Sequence, residues 1–256
     1  MTSRTPASSA LRGRALVPQA SIFLIVAAIA WVYVVPRAGT GGGTMGMELP
    51  AFIGMWTLMM SAMMFPATAP LASVYVRTIT SHRTLRIASF AAGYITVWAS
   101  AGIPAFAIAR TIDGTVQHNP GWAKGVAFVA YAACGVYQLT PLKNVCLRHC
   151  RSPIGHLLKF GTFTGPLRDA RAGISHGAWC LACCWALMVV LFALGVMNLV
   201  AMVVLAAIIT AEKLVPWPVA FSRVVGVVAI GLAIPSLWVP ALAPALGTSP
   251  MGSMQM

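Results

Sequence analysis

Acidic residues are almost missing from this sequence. Four Asp and Glu stand against 17 Lys and Arg in 256 residues, and charged side chains make up 8% of the whole. Soluble domains carry about 25%, so an ordinary soluble enzyme is excluded. Disorder needs low hydrophobicity, and hydrophobic residues here reach 59%. Carboxylate chemistry has too few groups to draw on. The sequence also has no Walker loop, no Rossmann fingerprint and no G-x-S-x-G. No span has a mid-membrane His, and no Lys lies mid-membrane in the last span. No catalytic residue is assigned.

What remains is a chain of long apolar runs. Stretches free of Asp, Glu, Lys and Arg cover 15–36, 49–76, 87–109, 125–142, 172–211 and 224–256. One helix needs about 20 apolar residues to cross a ~30 Å core. The run 172–211 would be about 60 Å long as one helix, so it divides into two with a turn near Gly195–Asn198. The expected fold class is all-α, a polytopic transmembrane helix bundle of about seven spans, with a β-barrel excluded. The spans fall at about 18–36, 50–72, 87–109, 122–141, 176–195, 198–215 and 224–242. Six is the alternative, because Pro235 and Pro240 interrupt the last. Residues 1–256 form a single membrane domain. The first run is read as an uncleaved span, too long for a signal segment.

The basic residues then set an orientation. With the N-terminus cytoplasmic, 14 Lys and Arg fall inside, and only Arg37, Arg110 and Lys124 fall outside. This matches the positive-inside rule. The net charge of +13 therefore needs no nucleic-acid partner; the first partner is the lipid bilayer. The inside stretch 143–175 is expected to be irregular, with short interfacial helical pieces.

Seven of the 14 Met fall between residues 45 and 64: Met45, Met47, Met55, Met59, Met60, Met63 and Met64. At about 100° per residue, Met55, Met59 and Met63 share one stripe, and Met60 and Met64 complete one half of the helix. Thioethers are soft ligands suited to Cu(I), and they stay apolar when empty. The competing reading is packing, since Met fills irregular gaps. Met45 and Met47 follow Gly41–Gly43 in an outer loop, which has no core to pack, and Met251, Met254 and Met256 repeat the pattern at the C-terminus. Pro66 and Pro70 are expected to interrupt the helix after the stripe.

The six Cys concentrate toward the inner side. Cys146, His149 and Cys150 lie within one turn and a half. On the fifth span His176, Cys180, Cys183 and Cys184 share a helical face. Together these groups make a candidate thiolate site for Cu(I), with zinc as the alternative metal. Packing of the Cys180 face remains an equal reading, and Cys134 is read as packing alone. Glu48 neighbours the Met loop. Glu212 lies beside Lys213 at the inner end of the sixth span. Asp113 and His118 are placed in an outer loop, and Asp169 is expected to pair locally with Arg168 and Arg171.

Three motifs resemble a bacterial family of predicted metal-binding integral membrane proteins. They are Gly54-Met-Trp-Thr-Leu-Met-Met-Ser-Ala-Met-Met-Phe-Pro66; Tyr137-Gln-Leu-Thr-Pro-Leu-Lys143 leading to Cys146 and Cys150; and Cys180-Leu-Ala-Cys-Cys-Trp-Ala-Leu-Met188 with Gly195-Val-Met-Asn198. The resemblance runs from about 50 to 215. That family includes a copper chaperone needed for the activity of a tyrosinase, so the resemblance implies copper handling.

The expected function is an inner-membrane copper-binding protein, a Cu(I) chaperone or delivery factor. Its partner would be a cuproenzyme or a soluble copper carrier, and its place the multi-pass bacterial cytoplasmic membrane. The alternatives are a copper-dependent membrane oxidase or enzyme subunit, and a metal-free membrane scaffold.

Overall fold

The computed structural model describes residues 7–39, 43–44, 46–79, 81–119 and 121–246. Among them there is no strand, and the helices are α1 (Ala7–Val34), α2 (Leu49–Thr78), α3 (Arg83–His118), α4 (Trp122–Leu139), α5 (Pro141–Arg151), α6 (Pro153–Gly161), α7 (Arg168–Leu194), α8 (Leu199–Leu214) and α9 (Pro218–Ala233). Helix starts follow local chemistry. Proline occupies the first turn of α2, α5, α6 and α9, where its missing N–H costs nothing. Thr140, Ser152 and Asn198 cap α5, α6 and α8 by accepting from backbone N–H groups.

Four helices are long and apolar enough to cross a membrane: Leu49–Thr78, Arg83–His118, Arg168–Leu194 and Pro218–Leu237. α4 and α5 together make a fifth if their 69° bend is counted as one broken span. Ser21–Arg37 is a shorter apolar helix.

The helices pack mostly with partners distant in sequence. α1 lies on α2, α3 on α7, and α4 on α9, while α8 packs against α2. The α3–α7 contact is closest where Gly93 and Gly173 cross. A Cβ on Gly93 would stand 2.1 Å from the Ala170 carbonyl oxygen, and one on Gly173 would stand 2.0 Å from that of Phe90. Small residues let membrane helices approach backbone to backbone. This crossing holds the thiol-bearing face of α7 against α3.

The two ends of the bundle differ. One end gathers the α2–α3 junction, the α4–α5 bend, α6, and the start of α7. Asp169 there accepts two bonds from Arg86 of α3 at 3.0–3.1 Å through Nε and one through Nη2, and also accepts from the Tyr75 hydroxyl of α2. The opposite end carries the loop before α2. Thr44 donates from its backbone N–H and its hydroxyl to Asp113 of α3, at 2.8 and 3.0 Å. Gly43 turns there at φ 62°, and any Cβ would overlap that carboxylate.

Several expectations need correction. α2 runs through Pro66 and Pro70 without a break; membrane helices tolerate proline where neighbours and hydroxyls take up the freed carbonyls, and Thr68 donates to the Met64 carbonyl at 3.0 Å. The stretch 143–175 is largely helical, filled by α5, α6 and the first turns of α7. Asp113 and His118 belong to α3 and not to a loop. Asp169 keeps the expected local pair with Arg168 at 3.8 Å, but its closer partner is Arg86 at 3.0 Å.

Candidate metal centre

The centre forms where α5 folds back onto α7. The capped turn at Thr140–Pro141 bends the chain by 69°, and α5 then presents one face to the bundle. That face carries Lys143, Cys146, Leu147 and Cys150, all buried. Opposite it α7 offers Cys180, Cys183 and Cys184, also buried. The Cys150 thiol lies near those of Cys180 and Cys183, and Cys180 lies near Cys183 and Cys184. Four free thiols from two helices, distant in sequence, are thus collected in one place. Cys183 and Cys184 donate to the Cys180 carbonyl at 3.2 and 2.8 Å. Cys146 lies one turn away against the Tyr137 hydroxyl, which donates to the Ala182 carbonyl.

Cys180 is the hub. Its sulfur accepts from the Lys213 ammonium of α8 at 3.1 Å and shares a hydrogen bond of 3.1 Å with the Tyr94 hydroxyl of α3. Lys213 has no carboxylate partner among the described residues, because its sequence neighbour Glu212 is engaged elsewhere. Glu212 pairs with Lys143 at 2.7 Å, with the two side chains 0% and 1% exposed. Gln138 donates to the other Glu212 oxygen at 2.7 Å, and Lys143 also donates to the Cys183 carbonyl at 2.5 Å. The ion pair therefore braces α4, α5, α7 and α8 behind the thiols and leaves Lys213 to face sulfur. A positive charge there offsets the negative charge that sulfur ligation would bring into a low-dielectric site.

The two histidines part company. His176, one turn before Cys180, is buried and stacks on Tyr94 and Phe90 with ring centroids 5.7 and 6.2 Å apart. His149 turns outward, away from Cys146 and Cys150. Its ring lies flat on Trp179 at 4.3 Å, and its Nδ1 bonds to the Val145 carbonyl at 3.0 Å.

The methionines form a second sulfur region. Met59, Met60, Met63 and Met64 are fully buried in the core, together with Met188, Met197 and Met202. Met47 and Met55 are half-buried and packed against that core. Met45, Met251, Met254 and Met256 lie outside the described residues, and Glu48 is exposed at the start of α2. Thr68, one turn beyond Met64, lies near the Tyr94 hydroxyl, which bonds Cys180.

Among the described residues, no group of three or more His, Cys, Asp or Glu is arranged so that it could hold a metal ion. Cys183 and Cys184 instead donate to the Cys180 carbonyl. The donor set is sulfur, which suits a soft ion; the nearest carboxylate, Glu212, is occupied by Lys143 and Gln138.

Sequence reasoning missed Tyr94, Tyr137 and the separate roles of Lys143 and Lys213. The signal available for the lysines was their place at the ends of apolar runs, where a buried charge invites a functional reading. Met188 and Met202 gave no signal beyond that of single core residues.

Helices of membrane length and free cysteines buried between α5 and α7 define the class: an all-helical protein of membrane type. A family model described as PpoB2, copper chaperone, matches residues 53–235. That range holds α5, α7, α8 and most of α2, so the chain belongs to this copper chaperone family. No curated protein and no solved structure matches it.

Proposed function

We propose that this protein is a multi-pass chaperone of the bacterial cytoplasmic membrane that holds Cu(I) on thiolates and passes it along thioethers. Seven crossings, with the N-terminus cytoplasmic, would add α1 and α8 to the helices of clear membrane length. The thiol cluster then lies toward the cytoplasm, and the Met45–Met64 segment leads outward. The acceptor is an extracytoplasmic or membrane-bound cuproenzyme, such as a tyrosinase. The protein is not itself an enzyme.

The observation that carries this reading is the Lys213 ammonium 3.1 Å from the Cys180 sulfur, where the Cys150 and Cys183 thiols also lie close by. Cu(I) with two thiolates carries one net negative charge, and one ammonium balances it. Divalent zinc on four thiolates would leave an excess of negative charge that nothing nearby offsets. Soft thiolate and thioether ligands select Cu(I) in any case. Thiols serve a reducing compartment, where they stay free; thioethers do not form disulfides and suit an oxidising face. Tyr94 and Thr68 stand between the two regions. The Met region supplies weaker ligands from which cargo can leave.

The test is copper retained by the purified full-length protein after a wash with a Cu(I) chelator. Wild type is expected to retain metal, and Cys150→Ser/Cys180→Ser to lose it. Equal copper in both would overturn the reading.

A further inference from the structure

We propose that the protein binds a phosphate-bearing anion, the headgroup of an anionic phospholipid, in a cavity between α5, α6 and α7 that is separate from the thiol cluster. The cavity has a volume of about 450 Å³ and is lined by Arg148, His149, Ser152, Gly155, Lys159 and Trp179. It lies on the opposite side of α5 from Cys146 and Cys150, and it does not depend on the copper reading.

Charge accounting comes first. Arg148 and Lys159 have no carboxylate partner among the described residues. The chain has four acids in all, and none is free to serve here. Asp169 is held by Arg86 and Tyr75, Glu212 by Lys143 and Gln138, and Asp113 by Thr44 at the far end. Glu48 stands at that far end too, before α2. Two cations facing one cavity give it a net positive charge, which an anion from outside the chain would neutralise.

The hydrogen-bonding groups fit a phosphate. Arg presents a planar fork to phosphate oxygens, and Lys a point charge. The Ser152 oxygen already accepts from the Gly155 N–H at 3.1 Å, so its own proton is available to donate. Trp179 holds the His149 ring flat at 4.3 Å, which fixes the cavity wall.

The surroundings point to lipid. Leu142 and Val145 of α5 and Leu158 of α6 are exposed beside the cavity at 60%, 46% and 72%. An apolar surface flanked by basic side chains is the pattern of a helix lying in the headgroup region, and tryptophan is enriched at that level. Basic segments there attract anionic lipid.

The experiment titrates the detergent-purified full-length protein with phosphatidylglycerol or phosphatidylcholine and counts retained lipid by native mass spectrometry. Wild type should retain phosphatidylglycerol more tightly, because the choline cation would meet Arg148 and Lys159. Arg148→Gln/Lys159→Gln should weaken phosphatidylglycerol binding by roughly 10- to 30-fold. Arg77→Gln/Arg223→Gln, which removes the same charge from exposed positions outside the cavity, should change it little. Inorganic phosphate in millimolar excess should leave the lipid bound; displacement would keep the anion site but assign it to free phosphate and overturn the lipid assignment. Equal retention of the two lipids, or an unchanged double variant, would overturn the proposal. Copper content, read in parallel, should be the same in all variants, so loss of the copper reading would be seen separately.

Discussion

The two sulfur regions of this protein are both buried, yet they are built differently. The Cys region is wired: Cys180 alone touches an ammonium, a tyrosine hydroxyl and neighbouring thiols. Among the described residues, the Met side chains have no such partners. Met59, Met60, Met63 and Met64 sit fully enclosed among apolar side chains. Thiolates bring charge and need it offset, whereas thioethers are neutral and need nothing. On the proposed reading, the polar bracket is where an ion would be held, and the bare sulfur stripe where it would be held weakly.

That contrast can be broken from the Cys side first. Lys143→Met leaves Glu212 buried and uncompensated, and breaking such a pair costs about 3–5 kcal/mol. Thermal unfolding in detergent should show the loss, and Lys143→Met/Glu212→Met should recover most of it. If the single variant is as stable as wild type, the brace behind the thiols is unimportant. Next in size, Cys150→Ser/Cys180→Ser should weaken Cu(I) binding by about 100-fold or more in chelator competition, equivalent to about 3 kcal/mol, with the fold retained. A smaller effect is expected at Lys213. Lys213→Met keeps every thiol and removes the offsetting charge, so affinity should drop by about tenfold. Lys213→Arg should restore part of it, and an effect as large for Arg as for Met would point to packing. Smallest is the Met side. Met59→Leu/Met63→Leu preserves apolar bulk and should cost under about 1.5 kcal/mol of stability per site, with copper retention nearly unchanged. Delivery to the acceptor enzyme should slow. A large fall in retention would show that the thioethers hold the ion as firmly as the thiols.

The all-helical class was legible because apolar runs of helical length dominate the chain. The break at Gly195–Asn198 was legible from length alone, since 40 uncharged residues exceed one crossing. The shared face of Cys180, Cys183 and Cys184 followed from helical periodicity. Other features depend on tertiary contact and leave no periodic trace. The fold-back of α5, which brings Cys150 to Cys180, rests on one capped Pro turn. Adjacent residues on a helix diverge by about 100°, so Glu212 and Lys213 reach different partners, and their neighbourhood in sequence says nothing of that. His149 looked like a companion of Cys146 and Cys150 but found Trp179, thirty residues on, as its stacking partner. Pro66 and Pro70 read as breaks, yet α2 passes through them because the bundle supports it on several sides.

The central claim is that Cu(I) is held by sulfur between α5 and α7. X-ray absorption at the copper edge of the Cu(I)-loaded full-length protein tests it most directly. A shell of sulfur alone is predicted for wild type, and it should disappear in Cys150→Ser/Cys180→Ser. A nitrogen or oxygen shell in wild type, or the same sulfur shell in the variant, would contradict the account.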